Sequence, residues 1–212
     1  MLSRLFSLVV LIATTSISPV FAVEHQAPQP LVENVTQKVL AELRQPKGAA
    51  VKDASFLTQK IEEHIVPHVD MTAMSKLVLG KHWRAATDAQ KEQFMNEFKK
   101  LLIRTYQKSL SAYSNEKIAF EPFHPSAEPN KLATVKTKIV RGNGPSIAID
   151  YDLRFKAEDG WKLYDITVES VSLVTNYRSS FSTEVTQQGL DHLIQTLKDR
   201  NAKAISGNNA KK

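Results

Sequence analysis

Apolar and polar side chains alternate strictly between residues 146 and 155, which is the clearest pattern in the chain. Every second position is large and apolar: Ile147, Ile149, Tyr151, Leu153 and Phe155. The residues between them are small or charged, so the pattern predicts a β-strand with one face against an apolar core. Glu158-Asp159-Gly160 then predicts a tight hairpin, because glycine adopts positive φ at little cost. We expect the returning strand to occupy residues 161–174.

The apolar phase of this returning strand slips by one residue after Leu163. Trp161 and Leu163 belong to one phase, whereas Tyr164, Ile166 and Val168 belong to the other. A slip of one residue normally turns side chains to the wrong face of a sheet. We therefore predict a β-bulge or a sharp bend between Leu163 and Tyr164, and a sheet that is curved there.

Helical periodicity occurs on both sides of these strands. Helices are predicted over residues 31–44, 53–66, 70–79 and from 88 onward, and again in two segments separated by Gly189. The longest helix begins at Thr87-Asp88-Ala89-Gln90, which has the spacing of a capping box. The apolar stripe of this long helix predicts that it lies across the apolar face of the sheet.

Two further segments complete the predicted sheet. Apolar residues alternate around Ile118 and again around Val135, so we expect a meander of four antiparallel strands. Helices first, then strands, then helices again is an α+β arrangement. We expect one domain over residues 23–200.

The two ends of the chain have distinct compositions. Arg4 precedes an apolar run and small residues end at Ala22, so residues 1–22 are predicted to be a secretory signal peptide. Residues 201–212 are rich in basic and small polar side chains and are predicted to be a flexible tail. The net charge of the whole chain is +6. Export disfavours nucleic acid as the partner of this charge.

The sequence contains no cysteine, so packing alone must stabilise the fold, and the histidines offer only a weak metal site. His64 and His68 are four residues apart and Asp70 is near them. Pro67 interrupts the helix that would align the two imidazoles, so we expect no metal site. No nucleophile elbow, P-loop or dinucleotide fingerprint occurs.

Three aspartates are candidates for paired catalytic carboxylates. Asp150 and Asp152 fall on the polar face of their strand, away from any pocket on the apolar side, and Asp165 flanks the predicted bend. A hydrated strand face explains the first two better than acid–base chemistry does. We therefore expect no catalytic residues. The abundant apolar side chains fit either an ordinary filled core or the lining of a cavity, and their pattern alone does not separate the two.

Two separated parts of the sequence resemble one family. The matching stretches are Asp70-Met71-Thr72-Ala73-Met74, residues 79–87, Phe94, Phe98, Leu102, Thr105-Tyr106, residues 160–166, Val171-Ser172-Leu173-Val174, Asn176-Tyr177-Arg178, Phe181 and Gly189. In these residues the chain resembles the MlaC family of exported phospholipid-binding proteins, also called the toluene-tolerance family. The resemblance covers nearly the whole chain after the signal peptide.

The resemblance implies a periplasmic carrier of glycerophospholipid in a Gram-negative envelope. Its fold would be a cystatin-like roll, in which a curved antiparallel sheet and helices enclose the acyl chains. Its partners would be an inner-membrane ABC-transporter complex with an MCE-domain protein and an outer-membrane lipoprotein associated with porins. Such a protein binds phospholipid as its ligand and needs no cofactor, and its transport would maintain the lipid asymmetry of the outer membrane.

If the resemblance holds, the side chains that share the apolar face of sheet and long helix would line the tail cavity. These are Phe94, Phe98, Leu101, Leu102, Tyr106, Val135, Ile139, Ile147, Ile149, Tyr151, Leu153 and Ile166. Two alternatives stay open at this point: an enzyme on the same roll, with Tyr106, Tyr151 and Asp165 as its candidate residues, and a solid-core module that binds only proteins.

Overall fold

The computed structural model describes residues 25–44, 54–111 and 116–209, and the predicted signal peptide lies outside them. In these residues the helices are α1 (Pro28–Arg44), α2 (Ala54–His64), α3 (Met71–Leu79), α4 (Lys81–Ala85), α5 (Asp88–Ser111), α6 (Leu173–Gln188) and α7 (Leu190–Asn209). The strands are β1 (Lys117–Phe120), β2 (Leu132–Val140), β3 (Ile147–Lys156), β4 (Gly160–Val168) and β5 (Val171–Ser172). This order confirms the α+β class. None of these helices is long and apolar enough to cross a bilayer.

The strands form one antiparallel sheet in the order β1-β2-β3-β4-β5, which is one strand more than the four predicted. β4 ends at Val168, before residue 174, because Glu169 and Ser170 have φ angles of 48° and 68° and turn the chain. Positive φ at both central residues is the geometry of a two-residue hairpin. Neither residue is Gly, Asn or Asp, and β5 is too short to show alternation, so the sequence carries no usual signal of this turn.

The pairing of β3 with β4 contains the predicted bulge. Asp152 pairs with Asp165, whereas the next residue, Leu153, pairs with Leu163, so Tyr164 is the extra residue on β4. The bulge keeps Leu163 and the apolar residues beyond it on one face of the sheet although their spacing in sequence changes phase. The prediction is therefore confirmed at the residue where the phase slips.

Helix α1, and not the long helix α5, packs across the apolar face of the sheet. The buried residues of this contact are Leu31 and Val32 on the helix and Ala133, Val135, Leu153 and Trp161 on the strands. Helix α5 packs mainly against α2, α3 and α7. The prediction that the long helix covers the sheet was wrong, because periodicity identifies the apolar side of a helix but not the element that this side contacts.

The helices form a second core of their own. Phe94 and Phe98 of α5 are fully buried and lie against Phe181 of α6, with ring centroids 6.0 and 5.9 Å apart. Leu193 and Leu197 of α7 belong to the same cluster. The aromatic stripe of the long helix therefore packs mainly on other helices.

Helix α5 has a defined start and a firm contact with α7. The backbone N–H of Gln90 donates to the Thr87 hydroxyl at 3.2 Å and the backbone N–H of Thr87 donates to the Gln90 side-chain oxygen at 3.0 Å. These two bonds confirm the capping box. Farther along α5, the amide of Asn201 on α7 donates to the Glu97 carboxylate at 2.9 Å. Helix α7 extends to Asn209, so residues 201–209 are helical although they were predicted to be part of a flexible tail.

Candidate functional site

One end of the apolar sheet face is only half-buried. Because residues paired across antiparallel strands share a face, the side chains there form cross-strand rows. Two such rows, here called the open rows, are Ile118–Ile139–Ile147 and Phe120–Thr137–Ile149–Val168. Every member except Thr137 is partly accessible. The open rows are thus an almost wholly apolar surface that stays partly uncovered.

The other end of the same face is covered by α1. Its rows, here called the closed rows, are Val135–Tyr151–Ile166, Ala133–Leu153–Leu163 and Phe155–Trp161. Val135 and Leu153 are each only 1% exposed. The face therefore changes from closed to open along the strands.

A groove of about 570 Å³ lies between α1 and the edge strand β1. Its lining consists of Glu33, Thr36, Gln37, Leu40 and Arg44 on the helix and Lys117, Ile118 and Phe120 on the strand. Ile118 and Phe120 also belong to the open rows, so the groove is continuous with the aliphatic surface. Its volume lies within the usual range for ligand sites. A lining with aliphatic, aromatic and charged groups suits an amphipathic ligand.

Within the described residues, two clusters account for most of the buried apolar side chains, and others such as Leu57 and Ile61 of α2 belong to neither. One cluster lies among helices α3, α5, α6 and α7, and the other lies between α1 and the sheet. A domain of this size usually has one contiguous core. The open rows belong to the buried part of neither cluster, which is the arrangement expected where an interior is not filled by the chain's own side chains.

The structure distributes the twelve predicted lining residues over three places. Phe94, Phe98 and Leu101 are buried in the helical cluster, and Leu102 packs against it. Val135 and Leu153 are buried under α1, with Tyr151 beside them. Ile139, Ile147, Ile149 and Ile166 are half-buried on the sheet, and Tyr106 is half-buried on α5. The structure brings only the sheet residues of the last group together on the open rows or directly next to them.

The two candidate tyrosines lie in different places, Tyr151 on the sheet beside the open rows and Tyr106 on α5 beside Tyr177. Burial raises the pKa of Tyr151, whose phenol lies beside the Thr137 side chain. Burial, together with the neighbouring Tyr177, raises the pKa of Tyr106 to about 12. Both phenols are therefore neutral at physiological pH, and neither is poised as a base.

The three candidate acids have structural partners. Asp165 accepts hydrogen bonds from the backbone N–H groups of Ile166 and Val174 at 2.8 and 3.0 Å, and from the Ser172 hydroxyl. It therefore joins β4 to the start of α6. Asp152 accepts from the Thr134 hydroxyl at 2.6 Å, and burial raises its pKa.

The third candidate acid and the aspartate near the two histidines also have ordinary roles. Asp150 lies 3.7 Å from the ammonium of Lys136 on the polar face. Asp70 accepts the backbone N–H of Ala73 at 2.9 Å and thereby caps α3. Within the described part of the chain, no group of three metal-ligating side chains could hold an ion.

Several residues of the site were not predicted from the sequence. Ile118 and Phe120 were assigned to a strand, and Val168 to the returning strand, but none of them was assigned to the site. Their alternation with neighbouring residues was the available signal. Arg44 and Lys117 carry no such signal, because only the packing of α1 beside β1 puts them in one groove.

The comparisons with known proteins agree with this architecture. An α+β domain with one half-open apolar sheet face next to an amphipathic groove defines a class of proteins suited to an elongated apolar ligand. The family model described as MlaC protein matches residues 33–199. The chain belongs to the MlaC family.

Relatives and a solved structure extend this result. The chain is 23% identical to the intermembrane phospholipid transport system binding protein MlaC of Haemophilus influenzae, with 96% of each protein covered. It is 26% identical to the toluene tolerance protein ttg2D of Pseudomonas putida, over 82% of this chain and 80% of that protein. A phospholipid-binding protein from Ralstonia solanacearum, solved in complex with a phospholipid, matches 84% of this chain and 98% of its own with a TM-score of 0.76 and 30% identity.

Proposed function

We propose that this chain is a periplasmic phospholipid carrier that holds acyl chains against the open rows. The single observation that carries the proposal is the partly uncovered apolar surface that the open rows form on one face of the sheet. The similarity to a protein solved with a bound phospholipid supports the same ligand class. The groove between α1 and β1 would receive the headgroup, because its lining includes the basic side chains of Arg44 and Lys117.

The energetics explain why such a lipid needs a carrier. Two acyl chains contain about thirty methylenes, and exposing them to water costs on the order of 24 kcal/mol at about 0.8 kcal/mol each. Spontaneous transfer through water is therefore negligible. A cavity as apolar as a bilayer makes the exchange nearly neutral, so the partners can set its direction.

The carrier would exchange lipid with complexes at both membranes. We propose an inner-membrane ABC-transporter complex with an MCE-domain protein on one side and an outer-membrane lipoprotein–porin complex on the other, which together would maintain outer-membrane lipid asymmetry. We also infer that the protein is not an enzyme. All four aspartates considered above, Asp70, Asp150, Asp152 and Asp165, have structural partners. Both candidate tyrosines are neutral.

A loading assay tests the ligand directly. Protein without residues 1–22 is stripped of lipid, incubated with phosphatidylethanolamine and phosphatidylglycerol in mixed micelles, and isolated by gel filtration. The proposal expects phospholipid phosphorus in the protein fraction at about one lipid per chain or a small multiple of it. Folded protein that remains free of phosphorus under these conditions would refute it.

A further inference from the structure

One residue of the open rows is buried although its neighbours in the same row are partly accessible. Thr137 is only 1% exposed, although Phe120, Ile149 and Val168 in the same row are all partly accessible. Its hydroxyl donates to the Ile149 carbonyl at 3.1 Å, which accounts for its polarity but not for its burial. The larger Phe120 and Ile149 flank it in its own row, and a side chain from a neighbouring row also covers it.

Tyr151 is the residue that covers Thr137. It lies one row farther along, between Val135 and Ile166, and its phenol reaches back to the Thr137 side chain. The ring consequently spans the boundary between the last open row and the first closed row. Successive rows are about 6.8 Å apart, because each row advances by two residues.

Beyond Tyr151 the part of the face on β2 and β3 is covered by α1. Leu153 in the next row is 1% exposed, and Leu31 and Val32 of α1 pack over this region. An acyl chain that extends along the open rows from the α1–β1 groove would meet the Tyr151 ring and stop there.

We propose that Tyr151 is the end wall of the tail pocket and sets the length of acyl chain that the protein accepts. This inference rests on the proposed function. A methylene that fits moves from one apolar environment to another at little net cost, whereas each methylene left in water lowers relative uptake by about fourfold. The position of a wall therefore becomes a sharp length preference.

Three substitutions of Tyr151 distinguish a role as the end wall of the pocket from a role in folding alone. Tyr151→Leu removes the far end of the ring and lengthens the pocket. Tyr151→Trp enlarges the wall and shortens it. Tyr151→Phe keeps the ring and tests whether the hydroxyl contributes to the wall. The matched control is Phe123→Leu, at a ring that is 37% exposed and lies outside both open rows.

The measurement is competitive loading from mixed micelles that contain equimolar phosphatidylglycerol with two 14-, 16- or 18-carbon chains. Bound lipid is identified by mass spectrometry after extraction. We expect Tyr151→Leu to raise the ratio of 18- to 14-carbon lipid by at least about fourfold and Tyr151→Trp to lower it by a similar factor. Tyr151→Phe should shift the ratio less than either, and Phe123→Leu should match the wild type.

Two results would overturn the inference, and they differ from a failure of the proposed function. If Tyr151→Leu and Tyr151→Trp load lipid with the wild-type length distribution, Tyr151 is not the wall. If they reduce total loading together without opposite shifts in length, its role is structural only. A wild-type protein that binds none of the three lipids refutes the carrier proposal itself.

Discussion

The backbone N–H of Asp70 donates a hydrogen bond of 2.8 Å to the carbonyl oxygen of Leu163. Leu163 precedes the extra residue of the β4 bulge, where the pairing with β3 changes register. The Asp70 carboxylate also caps α3 and lies 3.6 Å from Arg154 and 3.9 Å from Lys156 on the sheet. One residue thus connects the helical layer to the sheet at the bulge.

Substitution of Asp70 should weaken this connection in two separable steps. Asp70→Ala removes the cap and the charge, and we expect the free energy of unfolding to fall by about 1–3 kcal/mol. Asp70→Asn keeps a capping oxygen and loses only the partly exposed ion pairs, so it should cost about 1 kcal/mol or less. Urea denaturation of the lipid-free protein measures both. Equal losses in the two variants would show that the cap contributes nothing.

A charge on the open rows should prevent lipid loading. Ile149→Asp introduces a carboxylate where acyl chains would lie, and an unpaired charge against hydrocarbon is strongly unfavourable. We expect loading below about a tenth of the wild-type value. The matched control is Lys138→Asp on the opposite face of the neighbouring strand, where the side chain is exposed and pairs with Glu121. Normal loading of a folded Ile149→Asp protein would remove the open rows from the site.

Because the chain has no cysteine, a single introduced thiol can report whether lipid occupies the groove. Ile118→Cys should react with a maleimide in the stripped protein and react several-fold more slowly after loading, since lipid covers the groove wall. Leu132→Cys is the control: Leu132 is 38% exposed and pairs with Arg154 at the opposite end of β2, on the polar face of the sheet. Its rate should not change. Equal rates for Ile118→Cys with and without lipid would contradict the proposed headgroup route.

The stability of the lipid-free protein should depend on the charge state of His68. Burial, followed by the nearby charges of Lys162 and Lys38, lowers the pKa of His68 from its ordinary value of 6.5. Below pH 6.5 the unfolded chain binds this proton more readily than the folded protein does. The free energy of unfolding should therefore fall as the pH drops through 6.5 toward the lower folded pKa, and His68 should contribute no pH dependence well above 7.

His68→Gln tests this dependence. Urea unfolding at pH 7.5 and pH 5.5 should give a smaller difference in the variant than in the wild type. Glu97, whose pKa is lowered from 4.5, contributes only at more acidic pH and does not interfere in this window. If the free energy of unfolding changes between the two pH values by the same amount in His68→Gln and in the wild type, the charge state of His68 does not affect stability.

The sequence was most informative where a pattern depends only on neighbouring residues. The bulge at Tyr164 followed from a change of apolar phase, and the start of α5 followed from Thr87 and Gln90. Both features are local, because the residues that specify them also form them.

Features that depend on contacts between distant elements were predicted poorly. Phe94 and Phe98 have the spacing of a helix that packs on a sheet, yet they contact Phe181 on another helix. An amphipathic stripe shows that a face is buried without showing its partner. The contrast between open and closed rows could not be predicted from the sequence either. Ile149 and Leu153 follow the same alternation, and only the position of α1 leaves the first half-buried and buries the second.

The most direct test of the carrier account is native mass spectrometry of the protein as it is purified from the periplasm, without added lipid. The account predicts a species heavier than the polypeptide by the mass of a glycerophospholipid, and release of that mass as intact phospholipid on collisional activation. A protein that appears only at its polypeptide mass, and that also gains no mass after incubation with phospholipid in mixed micelles, would contradict it.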